Sequence, residues 1–222
     1  MRYIFENGNS NKDQQKKSNN SKYTLWMNSI LRRSKEIGKV DLPICSIILD
    51  ERGRCIGRGV NRRNINNDPL GHAEIMALRQ ASLIKNDWRF NECTIITNLE
   101  PCTMCSSALI QARMGKVIFG AYDKKRGGLG GSIDLSKHES AHHKMEIIGG
   151  ILEEECSQIL KIWFKKLRIQ KIENFFNSVS NRFNNLSTFS SHELKPISPT
   201  RHTLPDNSPS PFPISIPKFL KR

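Results

Sequence analysis

The chain has 222 residues, enough for one domain with flanking segments, and carries a formal charge of +14 with a pI near 9.7, which points to a polyanionic partner. Apolar residues make up 37%, below the roughly 45–50% of a globular domain, so polar segments must dilute the core or the core is poor. No apolar run approaches the roughly 18 residues of a bilayer span, and the Asn/Lys/Gln-rich start is no secretory signal, so six cysteines read as thiols or metal ligands rather than a disulfide scaffold.

In chain order, Met27, Ile30, Leu31 and Ile37 recur at helical spacing, and Gly38 is a natural stop. Pro43 to Leu49 is a short apolar run. The Asp50-Glu51-Arg52-Gly53 turn joins it to a second strand over 54–60, making a hairpin. A loop through Asn66, Asn67, Asp68 and Pro69 leads to His72, after which 73–84 reads as a helix. Cys93 to Thr97 is a β-branched strand, followed by a helix over 103–113 and a strand over 116–120. A short strand is expected at 146–148 and a closing helix over 153–167, acidic in its first turn and basic in its last, as the helix dipole favours. Strands alternating with helices predict an α/β layered domain.

Composition divides the chain into three. Residues 1–21 are polar and are expected to be a disordered extension. Residues 22–170 form the expected folded unit, with 24 basic against 16 acidic side chains, so the positive excess is not confined to the flanks. Residues 171–222 become Asn/Ser-rich and then Pro-rich, seven of the ten prolines lying between Pro196 and Pro217, and are expected to be a largely disordered basic tail.

One constellation carries chemistry: His72-Ala73-Glu74, then Pro101-Cys102-Thr103-Met104-Cys105. A lone Cys-x-x-Cys is often redox-active or structural, and a lone His before a helix is usually a cap. Together they offer three ligands suited to Zn²⁺, and three protein ligands leave the fourth tetrahedral position open, the mark of a catalytic site. Each motif opens a helix, where backbone dipoles favour the thiolate. Glu74, two residues after His72, is turned away from sharing the metal but can lean over a water held there. Two thiolates damp the zinc charge, so such a water gains from a carboxylate that accepts its proton.

These motifs resemble the zinc-dependent nucleobase deaminases, whose signature is His-x-Glu followed by Pro-Cys-x-x-Cys. Residues 68–80 (DPLGHAEIMALRQ), 99–105 (LEPCTMC), 117–123 (VIFGAYD) and 146–156 (EIIGGILEEEC) are similar to bacterial tRNA-specific adenosine deaminases, and the resemblance spans about Tyr23 to Arg168. It implies a cytidine-deaminase-like three-layer α/β/α sandwich with a mixed five-stranded sheet. It implies hydrolytic conversion of adenosine to inosine at the wobble position of a tRNA anticodon, with ammonia released. His72, Cys102 and Cys105 would hold one Zn²⁺ per subunit, zinc-activated water would attack C6 of a flipped-out adenine, and Glu74 would shuttle protons to the ring and the departing amine. Asn61 matches an asparagine that hydrogen-bonds the base, and Ala73, Asp123 and Arg168 are further expected substrate contacts. A cytoplasmic homodimer is implied, its partner the tRNA anticodon stem-loop, with no membrane and no organic cofactor.

Arg62 and Arg63, Lys124 to Arg126 before a Gly-rich loop, and Lys165, Lys166 and Arg168 are cationic clusters that an RNA backbone would meet, while Trp163 and Phe164 read as core. The chain departs from the family at Ile44-Cys45-Ser46, where Val-Gly-Ala is usual, and at His142 and Leu167. Cys45 and Ser46 are expected near the active-site floor, with Cys45 a candidate oxidation-sensitive thiol. Three readings compete. A deaminase of free guanine, cytosine or a riboflavin precursor would need no cationic surface. A catalytically silent RNA-binding subunit would typically lack Glu74. A zinc-stabilised scaffold would want a fourth protein ligand.

Overall fold

A computed structural model describes the backbone of residues 9–187 and the side chains of residues 21–182. Five strands form one mixed sheet in the order β2-β1-β3-β4-β5: β1 (Cys45–Leu49), β2 (Cys55–Val60), β3 (Thr94–Leu99), β4 (Lys116–Ala121) and β5 (Glu146–Ile148). β1 runs antiparallel to both β2 and β3, whereas β3, β4 and β5 are parallel. The β1–β2 hairpin needs only a tight turn, and α4 (Thr103–Gln111) supplies the longer crossover that joins parallel β3 to β4.

Alternation along the strands builds two cores. Ile48, Ile95, Val117 and Phe119 face one side, packed with Ala77 and Ala81 of α3 (Ala73–Lys85) and Leu109 of α4. Leu49, Ile96 and Ile118 face the other, packed with Met27, Ile30 and Leu31 of α1 (Asn9–Ile37) and Cys156 of α5 (Glu153–Ser187). These layers are the expected α/β/α sandwich on a mixed five-stranded sheet. A one-turn helix, α2 (Arg63–Asn66), replaces part of the expected loop and ends on Asn67 in the left-handed region at φ 50°.

The helices run past the expected boundaries. α1 begins at Asn9, inside the stretch expected to lack structure, and α5 continues through Ser187, beyond Gln170. The physical reason lies in what is missing: no proline or glycine interrupts either span. The expected disorder of 1–8 and 188–222 lies outside the described residues. The chain divides into two compact units, Met1–Phe175 and Phe176–Arg222, and His72, Cys102 and Cys105 belong to the first. Phe164, expected in the core, is 45% exposed and meets Trp163 edge-on at 5.0 Å.

Two glycines set the height of α3 over the sheet. A Cβ on Gly59 would run into the Ala73 carbonyl, and one on Gly57 would strike the Ala77 carbonyl and Ala81. Without those side chains the first turn of α3 lies close against β2, which delivers His72 to the end of the sheet where β3 leaves for Cys102.

Candidate active site

His72 and Cys102 occupy the same structural position in two helices. Each is the residue just before the first turn, in extended conformation (φ −77°, ψ 148° and φ −67°, ψ 171°), and its carbonyl accepts the first helical hydrogen bond, from Met76 and Ser106 respectively. Neither side chain caps its helix, so both are free for other work. Cys105 lies one turn into α4 and is fully buried. His72 Nδ1 is 3.5 Å from Cys102 Sγ and 3.4 Å from Cys105 Sγ, and the three donor atoms all lie within 4.8 Å of one another.

That spacing tests the expected metal. With Zn–N of about 2.05 Å and Zn–S of about 2.3 Å, a tetrahedral N···S edge is about 3.6 Å. The two observed N···S separations match it. One imidazole and two sulfurs are zinc-type donors, and no fourth His, Cys, Asp or Glu joins the cluster among the described residues, which leaves the open position that catalysis requires. The sulfurs are electrostatically unequal. The Cys105 and His72 hydrogen bonds pull Cys102 down to about 4, whereas donation to Cys102 and burial push Cys105 up. The hydrogen bond to Cys102 in turn raises His72.

Glu74 lies in the first turn of α3 and is 4% exposed. Burial lifts its carboxyl to about 7, against a backbone hydrogen bond that works the other way. A carboxyl that titrates near neutrality accepts and returns protons with little penalty in either direction.

Asn61 reaches the site through the chain that follows it. Arg62 N–H donates to the Gly71 carbonyl at 2.8 Å, tying the end of β2 to the residue before His72. Asn61 itself is buried; its backbone N–H donates to Ile44 at 3.0 Å and its side-chain Nδ2 to Asp41 Oδ1 at 2.9 Å. Ala73 is buried with its carbonyl beneath Gly59. Asp123 is half-buried, and its Oδ1 accepts the backbone N–H groups of Lys125 and Arg126 at 2.9 and 3.1 Å. Its carboxylate thus shapes the basic turn. Arg168 is exposed on α5 and has no ionic partner among the described residues.

Cys45 requires a correction. It faces the α1 layer, is buried, and burial raises its thiol to about 11, a setting that suppresses oxidation rather than inviting it. Ser46 faces the opposite way, on the same side as its cross-strand partner Gly59, and so toward α3. Its hydroxyl is the one buried side-chain polar atom without a hydrogen-bond partner among the described residues.

Three supporting residues have roles that the sequence did not show, although Glu100 lies within the 99–105 motif. Glu100 is buried, and its two oxygens accept the N–H groups of Asp123, Leu129 and Gly131 at 2.8–2.9 Å, while a Cβ on Gly127 or Gly131 would collide with it. Glu100 therefore folds the Gly-rich loop back onto the strand end that carries Cys102, an arrangement closed by the Cys102–Gly127 bridge. Asn98 accepts the Cys45 N–H at 2.9 Å and donates to the Pro43 carbonyl at 2.8 Å, stitching the start of β1 to β3. Asp41, buried in the loop between α1 and β1, is the third.

Fold and donor set together define the class, a zinc-binding nucleobase deaminase domain. The family model for the cytidine and deoxycytidylate deaminase zinc-binding region matches residues 19–121. The chain is 36% identical over 131 residues to a tRNA-specific adenosine deaminase of Haemophilus influenzae, covering 59% of this chain and 76% of that one. It is 34% identical over 148 residues to the tRNA-specific adenosine deaminase of Bacillus subtilis, covering 66% of this chain and 91% of that one. A structure from studies of A-to-I editing by tRNA:A34 deaminases at the wobble position superposes with a TM-score of 0.59 at 32% identity, over 62% of this chain and 99% of that one. The chain belongs to the tRNA-specific adenosine deaminase family. A guanine deaminase from Nitrosomonas europaea, at 21% identity and a TM-score of 0.52, shares the fold.

Proposed function

We propose that this chain deaminates adenosine to inosine at the wobble position of a tRNA anticodon, with water as co-substrate and ammonia as the second product. The observation that carries the reading is a buried Glu74 beside a three-ligand zinc set in a chain at least 34% identical to relatives named for this activity. His72, Cys102 and Cys105 would hold the zinc, which would supply the Lewis acidity that activates water at neutral pH. Glu74 would accept one proton from that water as its oxygen bonds to C6 and deliver it to the adjacent ring nitrogen; it would then take the remaining proton of the new hydroxyl and pass it to the amine, so that the C–N bond breaks, ammonia leaves and C6 keeps a carbonyl. Asn61 and the backbone of Ala73 orient the base.

The cationic surface fits the same substrate. A deaminase of free bases has no phosphates to meet, whereas an anticodon stem-loop has one per nucleotide. Asp123 holds the Lys124–Arg126 turn toward the RNA and Arg168 contributes a phosphate contact from α5. We assign the catalytic domain to 22–170, place 1–21 and 171–222 as flanking extensions outside it, and read the working species as a cytoplasmic homodimer. No described helix is long and apolar enough to cross a membrane.

The test is sequencing of tRNA anticodons after incubation with the zinc-loaded protein, reading inosine as A-to-G changes, with free adenine, guanine and cytosine assayed in parallel. Conversion of tRNA alone is expected; conversion of free bases alone would replace the reading. Glu74→Ala should retain one zinc per chain and lose deamination by several orders of magnitude. Normal turnover by that variant would remove the proton-shuttle role.

A further inference from the structure

Asp41 lies between Gly38, where α1 stops, and Pro43, where the approach to β1 begins. It is 1% exposed. No cation pairs with it among the described residues. Instead five N–H donors converge on its two oxygens. Oδ1 accepts Leu42 N–H at 2.7 Å, Asn61 Nδ2 at 2.9 Å and Asn64 Nδ2 at 3.1 Å. Oδ2 accepts the backbone N–H groups of Asn64 at 3.1 Å and Ile65 at 3.4 Å. One carboxylate thus ties the loop after α1 to the stretch from the end of β2 through α2, 20 to 24 residues further along the chain.

The chemistry of that meeting has a consequence for Asn61. An amide has a donor end and an acceptor end of nearly the same shape, and it presents either by a half-turn. A carboxylate ringed by donors accepts only. Asn61 can therefore face Asp41 with its NH₂ end alone, and the half-turn would set two acceptor oxygens against each other in a buried site, at the cost of an unpaired polar group. The backbone is held as well, by the Asn61 N–H to Ile44 bond and the Arg62 N–H to Gly71 bond on either side. With Nδ2 bound to Asp41, the Asn61 amide would offer a base its oxygen as acceptor and its second N–H as donor.

We propose that Asp41 is a positioning residue that locks the orientation of the Asn61 amide and so sets the hydrogen-bonding polarity with which the site receives its base. The proposal rests on the reading of Asn61 as a base contact. Asp41 acts through Asn61 and does not itself touch substrate. Asn64, which shares the same carboxylate, completes the cradle from the α2 side.

The experiment is a double-mutant cycle on zinc-loaded protein with an anticodon stem-loop RNA, measuring kcat/KM for inosine formation alongside zinc content and thermal midpoint. Asp41→Asn keeps the size of the side chain but replaces an accept-only group with one that tolerates either orientation of its neighbour. It should lower kcat/KM about tenfold with one zinc retained, since small misplacements in a reactive complex cost at least that much. In an Asn61→Ala background the same change should alter kcat/KM less than twofold. An unchanged single variant, or an undiminished loss without Asn61, overturns the proposal. A second measurement needs no variant at position 41: in the wild-type protein the Asn61 side-chain amide protons, assigned against Asn61→Ala, should exchange with solvent far more slowly than those of an exposed asparagine. Fast exchange overturns the lock even if Asp41→Asn fails to fold. A wild-type protein that makes no inosine yet protects the Asn61 amide refutes the reading of function and leaves the lock standing.

Discussion

Each side chain at the site has the chemistry its environment demands. Cys105 is fully buried at the start of α4, with its sulfur 3.4 Å from His72 Nδ1, where it could hold a metal ion together with His72 and Cys102. Cys105→Ala should therefore lose zinc and stability together. Elemental analysis should find less than one zinc per chain, and the thermal midpoint should fall by several degrees, because metal binding couples to folding. A folded, fully zinc-loaded Cys105→Ala protein would overturn the ligand assignment. His72, Glu74, Cys102 and Cys105 were all legible in the sequence, because residue type and short-range spacing suffice to specify a donor set and a nearby carboxylate. Asp41, Asn98 and Glu100 were not legible. Each is a polar residue whose partners lie far along the chain, with separations of 20, 53 and 29 residues for one bond of each, and no local pattern distinguishes such a residue from a solvated one.

At the scale of elements, the working feature is the closeness of α3 to β2. Gly57 and Gly59 remove the side chains that would hold the helix off the sheet. The first turn of α3, with His72 and Glu74, sits at a height that those two positions determine. Gly59→Ala should therefore destabilise the chain by about 1–3 kcal/mol through overpacking. Urea denaturation measures that loss. The same variant should lose more deaminase activity than its fraction unfolded accounts for, since the displaced carbonyl belongs to Ala73, between His72 and Glu74. Activity that tracks the folded fraction would show that the helix height does not matter to the reaction. The strands and central helices appeared at their expected places because alternation and 3.6-residue spacing are local signals. Helix ends were less legible. α1 and α5 overran their expected limits where polar sequence contains no proline or glycine to stop it, and α2 was hidden because four residues hold no periodicity.

For the molecule as a whole, the dominant long-range property is charge. A net +14 on 222 residues makes association with tRNA strongly dependent on ionic strength, because each neutralised phosphate releases counterions. The dissociation constant for a tRNA should rise at least tenfold between about 50 and 200 mM salt, measured by filter binding or anisotropy at constant zinc. A salt-independent affinity would separate the charge from substrate recognition. Sequence by itself determined the chemistry available: which atoms can hold zinc, which carboxylate can move a proton, how many cations can meet a phosphate backbone, and that strands and helices alternate. Those are properties of residue type and near-neighbour order. Only the tertiary structure decided that His72 Nδ1 comes within 3.5 Å of sulfurs 30 and 33 residues away, that Asn61 turns its amide one way against Asp41, and that Cys45 points away from the site. Distances between remote segments are set by how helices seat on a sheet and which buried polar groups must find partners, and neither is written in any short stretch of chain.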